Sequence, residues 1–157
     1  MIFVTVGLHY QGFDRLIMKM DVLAGMINEE VVMQIGSTSY KPKNAKYFDF
    51  VDDDEDILQL FKEARVIISH AGAGTLLNAL NFRKPVIAVP RQKTFGEHVD
   101  DQQLELTKVL SENGQVIPVY DIETLESALR SVNKISPIRL DKNNDLITFL
   151  KQQFVET

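Results

Sequence analysis

Val66-Ile67-Ile68-Ser69-His70-Ala71-Gly72-Ala73-Gly74-Thr75-Leu76-Leu77-Asn78-Ala79-Leu80 reads as a strand, a glycine turn and the start of a helix. Val66 to Ser69 is apolar without alternation, as strands are when helices cover both faces of a parallel sheet. From Gly74 to Phe82 the leucines and alanines take helical spacing. A strand that turns through glycines into a helix puts the turn at the carboxyl edge of the sheet, where folds of this kind bind ligands.

The pattern repeats outward from this stretch. Ile2 to Val6, Val31 to Ile35, Lys46 to Phe50, Val86 to Val89 and Gln115 to Val119 have the length and content of strands. Between them, Phe13, Leu16, Ile17, Met20, Leu23, Ala24 and Ile27 recur at helical spacing, with Asp14, Arg15, Lys19 and Asp21 assigned to the opposite side. Asp52 to Ala64 predicts a second helix, acidic in its first turn, with Ile57, Leu58, Leu60, Phe61 and Ala64 facing inward. About Val99 to Asn113 and Asp121 to Ser131 are further helices, the first stopped by a left-handed Gly114 and the second capped by Asp121. Ser136 and Pro137 break the chain before a terminal helix over residues 141–154. This alternation predicts an α/β fold in which residues 1–157 form a single Rossmann-like, doubly wound parallel sheet of about six strands.

Composition narrows the chemistry. The chain has 157 residues, 45% of them hydrophobic, enough for one well-buried core. A net charge of -5 disfavours nucleic acid, whose binding rests on basic surface. No run approaches the roughly 18 apolar residues of a membrane span, and Met1 to Val6 lacks the features of a signal peptide, so a cytoplasmic protein is expected. With no cysteine and three scattered histidines, no metal site is expected. Asp52-Asp53-Asp54-Glu55-Asp56 reads as a helix cap and charged first turn rather than a magnesium site. Met18, Met20, Met26 and Met33 read as core filling or helix surface.

Three polar loops then share one sheet edge. In the turn, a helix start offers unpaired N–H groups and partial positive charge, and Gly72 and Gly74, on either side of Ala73, let a phosphate approach them. Thr75 could add a hydroxyl and His70 a ring nitrogen; two glycines also suit a tight turn with no ligand. The loop from Gly7 through His9 to Gly12 spaces its glycines as neither a P-loop nor a dinucleotide fingerprint. The second strand ends in Gly36-Ser37-Thr38 rather than in a ribose-binding acid, so NAD and an ordinary oxidoreductase are disfavoured. The third loop carries Arg91 and leads through His98, Asp100 and Asp101 to Gln102 and Gln103, whose amides could read sugar hydroxyls near the helix start.

Five pieces in order resemble the C-terminal domain of glycosyltransferase family 28, especially the stand-alone small subunits of split UDP-GlcNAc transferases and their bacterial exopolysaccharide counterparts. They are Phe3-Val4-Thr5-Val6-Gly7, Gly12-Phe13-Asp14-Arg15-Leu16-Ile17, Ile67 to Thr75, Lys84-Pro85-Val86-Ile87-Ala88-Val89-Pro90, and His98-Val99-Asp100-Asp101-Gln102-Gln103-Leu104-Glu105-Leu106. The resemblance implies the C-terminal half of a GT-B fold and metal-independent, inverting transfer without a cofactor. The donor would be a UDP-sugar carrying GlcNAc or another hexose or uronic acid.

Carried over by position, Gly72, Gly74 and Thr75 would meet the diphosphate, and Gln102 and Gln103 the donor sugar. Asn78 stands where the family has an acid for the uridine ribose, and Leu8 where related subunits often have a small hydroxyl residue. With the residues read from the loops themselves, the expected donor-side set is Gly7, His70, Gly72, Ala73, Gly74, Thr75, Asn78, Arg91, Gln102 and Gln103. The catalytic base would come from a membrane-associated partner subunit resembling the N-terminal GT-B domain, which would bind a lipid-linked glycan and hold this chain at the cytosolic membrane face. His9, a residue that could neutralise a leaving group, is the catalytic candidate in this chain. Homo-oligomerisation is a further option. The alternative is a noncatalytic nucleotide-sugar-binding regulatory subunit.

Overall fold

The computed structural model describes residues 1–132. The terminal helix expected over residues 141–154 lies outside them. In chain order the elements are β1 (Ile2–Thr5), α1 (Asp14–Ala24), β2 (Val31–Gln34), β3 (Lys46–Phe48), α2 (Asp54–Glu63), β4 (Val66–His70), α3 (Ala73–Asn81), β5 (Val86–Val89), α4 (Gln102–Glu112), β6 (Ile117–Pro118) and α5 (Leu125–Ser131). The six strands form one sheet in the order β3-β2-β1-β4-β5-β6, and every neighbouring pair is parallel.

Alternate residues of a strand face opposite sides of the sheet, and two cores follow. Ile2, Val4 and Val6 pack on one face with Leu16, Ile17 and Met20 of α1 and Leu125 and Leu129 of α5. Phe3, Ile67 and Ala88 pack on the other with Phe61 of α2, Leu76 and Leu80 of α3, and Leu106 and Leu110 of α4. The chain winds one way from β1 and returns to pair β4 on its other side. The loops after β1 and β4 therefore diverge toward opposite faces, and a crevice opens between them at the carboxyl ends of the strands.

Local signals behave as their chemistry requires. Asp53 caps α2 by accepting from the Glu55 N–H at 2.9 Å. Gly114 adopts φ +68° after α4, and Asp121 accepts from the Glu123 N–H at 3.0 Å, capping a short 3-10 turn that leads into α5. Helix α1 ends at Ala24 rather than at Ile27, and Leu58 of α2 is exposed. Asp21 is a larger departure. Instead of facing solvent it is 1% exposed, accepting from the Tyr40 hydroxyl at 2.5 Å and from the Lys43 and Asn44 N–H groups at 3.0 and 2.7 Å. Burial alone would push its carboxyl up, but these donors hold it below the usual range. One acid thus ties the β2–β3 connection to α1.

Candidate donor-binding site

The imidazole of His70, 6% exposed, lies at the end of β4 between two glycines. A Cβ on Gly7 would stand 2.3 Å from its Nε2, and one on Gly72 would stand 2.2 Å from its Cε1. Gly7 also has φ +73°, a conformation that side chains disfavour. These two glycines admit the ring. Gly74 differs, since nothing lies within 4 Å of its hypothetical Cβ. Gly72 is the N-cap of α3 and offers no side-chain cap, so the first N–H groups of that helix face the open side of Gly74 unanswered.

His70 is held in one tautomer. Gln103 Oε1 accepts from the backbone N–H of Ala71 at 3.1 Å and of Arg91 at 3.0 Å. That arrangement orients its amide, whose nitrogen donates to His70 Nδ1 at 3.1 Å. The ring proton is then on Nε2, which donates to Thr75 Oγ1 at 3.3 Å. Thr75 is left with its own hydroxyl proton for a ligand. Burial, followed by the charge of Arg91, pulls His70 down to about 3, so it works as a neutral dipole.

Arg91 was expected to touch donor, and its burial gives it a different task. Arg91 is fully buried, and its guanidinium donates to the carbonyls of Val6, Gln11, Gly12 and Glu97 at 2.7, 2.9, 3.2 and 3.1 Å. It fastens the loop after β1 to the loop after β5, and burial lowers it to about 10. Gln103 lines the smaller cavity and also holds the turn, through its oxygen and one of its two amide N–H groups. Gln34, which sequence reasoning passed over, does the same on the other side. Its Oε1 accepts from Thr5 Oγ1, the Val6 N–H and the Gly7 N–H at 2.7, 3.1 and 3.1 Å. A polar residue ending a buried strand was the available signal. Arg15 and Glu97 were overlooked as well; they pair at 2.9 and 3.0 Å, joining α1 to the loop after β5.

Two cavities flank the start of α3. The larger, about 470 Å³, is lined by Gly7, Gly74, Thr75 and Asn78 together with Val51 and Asp54. The smaller, about 150 Å³, is lined by Gly72, Ala73, Gln102, Gln103 and His98. His9 stands on the loop after β1 with its Nε2 donating to Gln11 Oε1 at 2.7 Å. The structure thus gathers the predicted glycines, Thr75, Asn78 and Gln102 around one helix terminus, puts His70 and Gln103 beneath it, and sets Arg91 behind. Among the described residues no three His, Cys, Asp or Glu side chains are placed to hold a metal, and no helix is long and apolar enough to cross a membrane.

A parallel six-stranded sheet with a glycine turn at its switch point is the architecture of the Rossmann-like, C-terminal half of a GT-B fold. Residues 1–154 match the glycosyltransferase family 28 C-terminal domain, and the chain belongs to that family. It is 30% identical over 92 residues to the UDP-N-acetylglucosamine transferase subunit ALG13 of Debaryomyces hansenii, covering 59% of this chain and 42% of that protein. It is also 30% identical over 124 residues to the subunit of that name in Mus musculus, covering 73% of this chain and 10% of that protein. The chain thus spans less than half the length of either relative. Among solved structures, the NMR solution structure of ALG13 superposes with a TM-score of 0.57 at 18% identity, covering 98% of this chain and 96% of that one. MurG of Acinetobacter baumannii superposes with a TM-score of 0.59 at 18% identity, covering 96% of this chain and 45% of that one. At these identities the structural likeness speaks to the fold.

Proposed function

We propose that this chain is the donor-binding subunit of a heteromeric, inverting glycosyltransferase that moves a sugar from a UDP-sugar to a lipid-linked glycan. The observation that carries the reading is the uncapped start of α3, open at Gly74 and set between two cavities of about 470 and 150 Å³. Backbone N–H groups and the helix dipole suit a diphosphate. The larger cavity, with Asn78 on its wall, suits the nucleoside, and the smaller, with Gln102, suits the sugar. The names of the relatives favour UDP-GlcNAc as donor.

In such a transfer the acceptor hydroxyl attacks the anomeric carbon as UDP leaves, so one side needs a base and the other needs charge stabilisation. This chain supplies the second set. The amides at Ala73, Gly74 and Thr75 lie where charge would build on the departing diphosphate, and the His70–Thr75 contact aims a hydroxyl at the same place. These groups would serve without a metal ion. The base and the acceptor site would come from a membrane-associated partner, which would also hold the chain at the cytosolic face of a membrane.

Thermal unfolding with UDP, UDP-GlcNAc and NAD tests the donor assignment. A ligand at 100 times its Kd stabilises by about 2.7 kcal/mol, and the shift is expected with the uridine ligands and not with NAD. Transfer activity on co-expression with an acceptor-domain protein tests the catalytic role. Binding without such activity would favour the regulatory alternative.

A further inference from the structure

Above the turn, the ring of His98 lies on that of His9 with centroids 4.5 Å apart and planes inclined by 20°. His9 belongs to the loop after β1 and His98 to the loop before α4, so the stack joins the two loops across the crevice. Asp100 Oδ1 lies 3.1 Å from His98 Nδ1 and accepts from the Gln102 N–H at 3.0 Å. The Asp100 N–H also reaches that nitrogen, at 3.4 Å, so Nδ1 is met by both a donor and an acceptor of one residue; the imidazolium satisfies the closer carboxylate through Nδ1, and Nε2 is the nitrogen left for a ligand. His98 lines the smaller cavity with Gly72, Ala73 and Gln102.

We propose that His98, backed by Asp100 and stacked on His9, binds the diphosphate of the donor and becomes an imidazolium as it does so. The inference rests on the nucleotide-sugar reading above. A diphosphate brings negative charge beside two arginines that are already engaged. The Arg91 guanidinium serves four carbonyls, Arg15 is paired with Glu97, and His70 stays neutral. Imidazole is the side chain that gains charge between pH 5 and 8. Asp100 is the carboxylate paired with His98, His9 is stacked on it, and Tyr10 lies against His9. Two stacked imidazoles are compatible when neutral and repel when both are charged. The anion is the partner that lets one of them take a proton from solvent.

Calorimetric titration with UDP-GlcNAc, whose doubly esterified diphosphate does not titrate near neutrality, tests this from pH 6 to 8.5 in two buffers of different ionisation enthalpy. The chain is expected to take up a proton on binding near pH 7. His98→Gln should abolish the uptake and weaken binding roughly tenfold at pH 6.5, the worth of one charge-assisted contact, with little change at pH 8.5. NMR of the three histidine rings in the wild-type chain locates the proton, and decides the matter if the variant fails to fold. Binding with no uptake, or uptake at His9 or His70, overturns the role of His98 and leaves the donor reading standing. No binding at any pH overturns both.

Discussion

A Cβ on Gly72 would lie 2.2 Å from Cε1 of His70, and one on Gly74 would meet nothing within 4 Å. The two glycines of one turn therefore answer to different pressures, the first to a buried ring and the second to an open crevice. Gly72→Ala should destabilise the fold by about 1–3 kcal/mol, as overpacking does, and most of that loss should vanish in a His70→Ala background. Gly74→Ala should instead stabilise α3 by about 0.5–1 kcal/mol, the usual gain of Ala over Gly within a helix, while weakening UDP-sugar binding. Urea denaturation and calorimetry of the same variants separate the two effects.

The buried, neutral His70 has a signature in acid. Its ring binds a proton near the ordinary 6.5 when unfolded and only at about 3 when folded. Between those values the unfolded chain holds more protons, so stability falls as pH falls through that window, by up to about 1.4 kcal/mol per pH unit. His70→Gln should flatten the dependence between pH 6 and 4.5, and denaturation midpoints across that range provide the check.

Gln103 positions other groups through its two ends. Gln103→Leu would strand the Ala71 and Arg91 N–H groups and should cost about 2 kcal/mol or more. Gln103→Glu keeps the acceptor but removes the donor to His70 Nδ1. The ring proton should then move to Nδ1, Thr75 should lose its donor, and donor affinity should fall. Ring-nitrogen NMR reports the tautomer, and titration with UDP reports the affinity.

Asn78 lines the larger cavity, on the wall that the donor reading gives to a ribose. Asn78→Asp should tighten UDP roughly tenfold, because a hydrogen bond to a carboxylate is stronger than one to an amide. Asp54 lines the same cavity, and Asp54→Asn should weaken UDP. Titrations at fixed salt compare the two.

Apolar periodicity is a local record of which face is buried, and it is legible without the fold. The runs at Ile2, Val31, Val66 and Val86 and the helical stripe from Phe13 to Ala24 therefore determined the alternating elements, the parallel sheet and the place of the glycine turn at its edge. Caps were legible too, since Asp53 and Asp121 bond to backbone two residues away.

Polar residues carry no such record, because burial of an amide or a charge becomes tolerable only where distant groups satisfy it. Asp21 and Arg91 read as surface or ligand-facing residues until Lys43 and Asn44 in one case, and the carbonyls of Val6, Gln11 and Gly12 in the other, are brought against them. Sequence alone placed the glycine turn at the sheet edge. Tertiary structure decided that Gly72 serves His70, that Gln103 and Arg91 hold the loops, and that His98 meets His9, since those contacts join segments far apart in the chain.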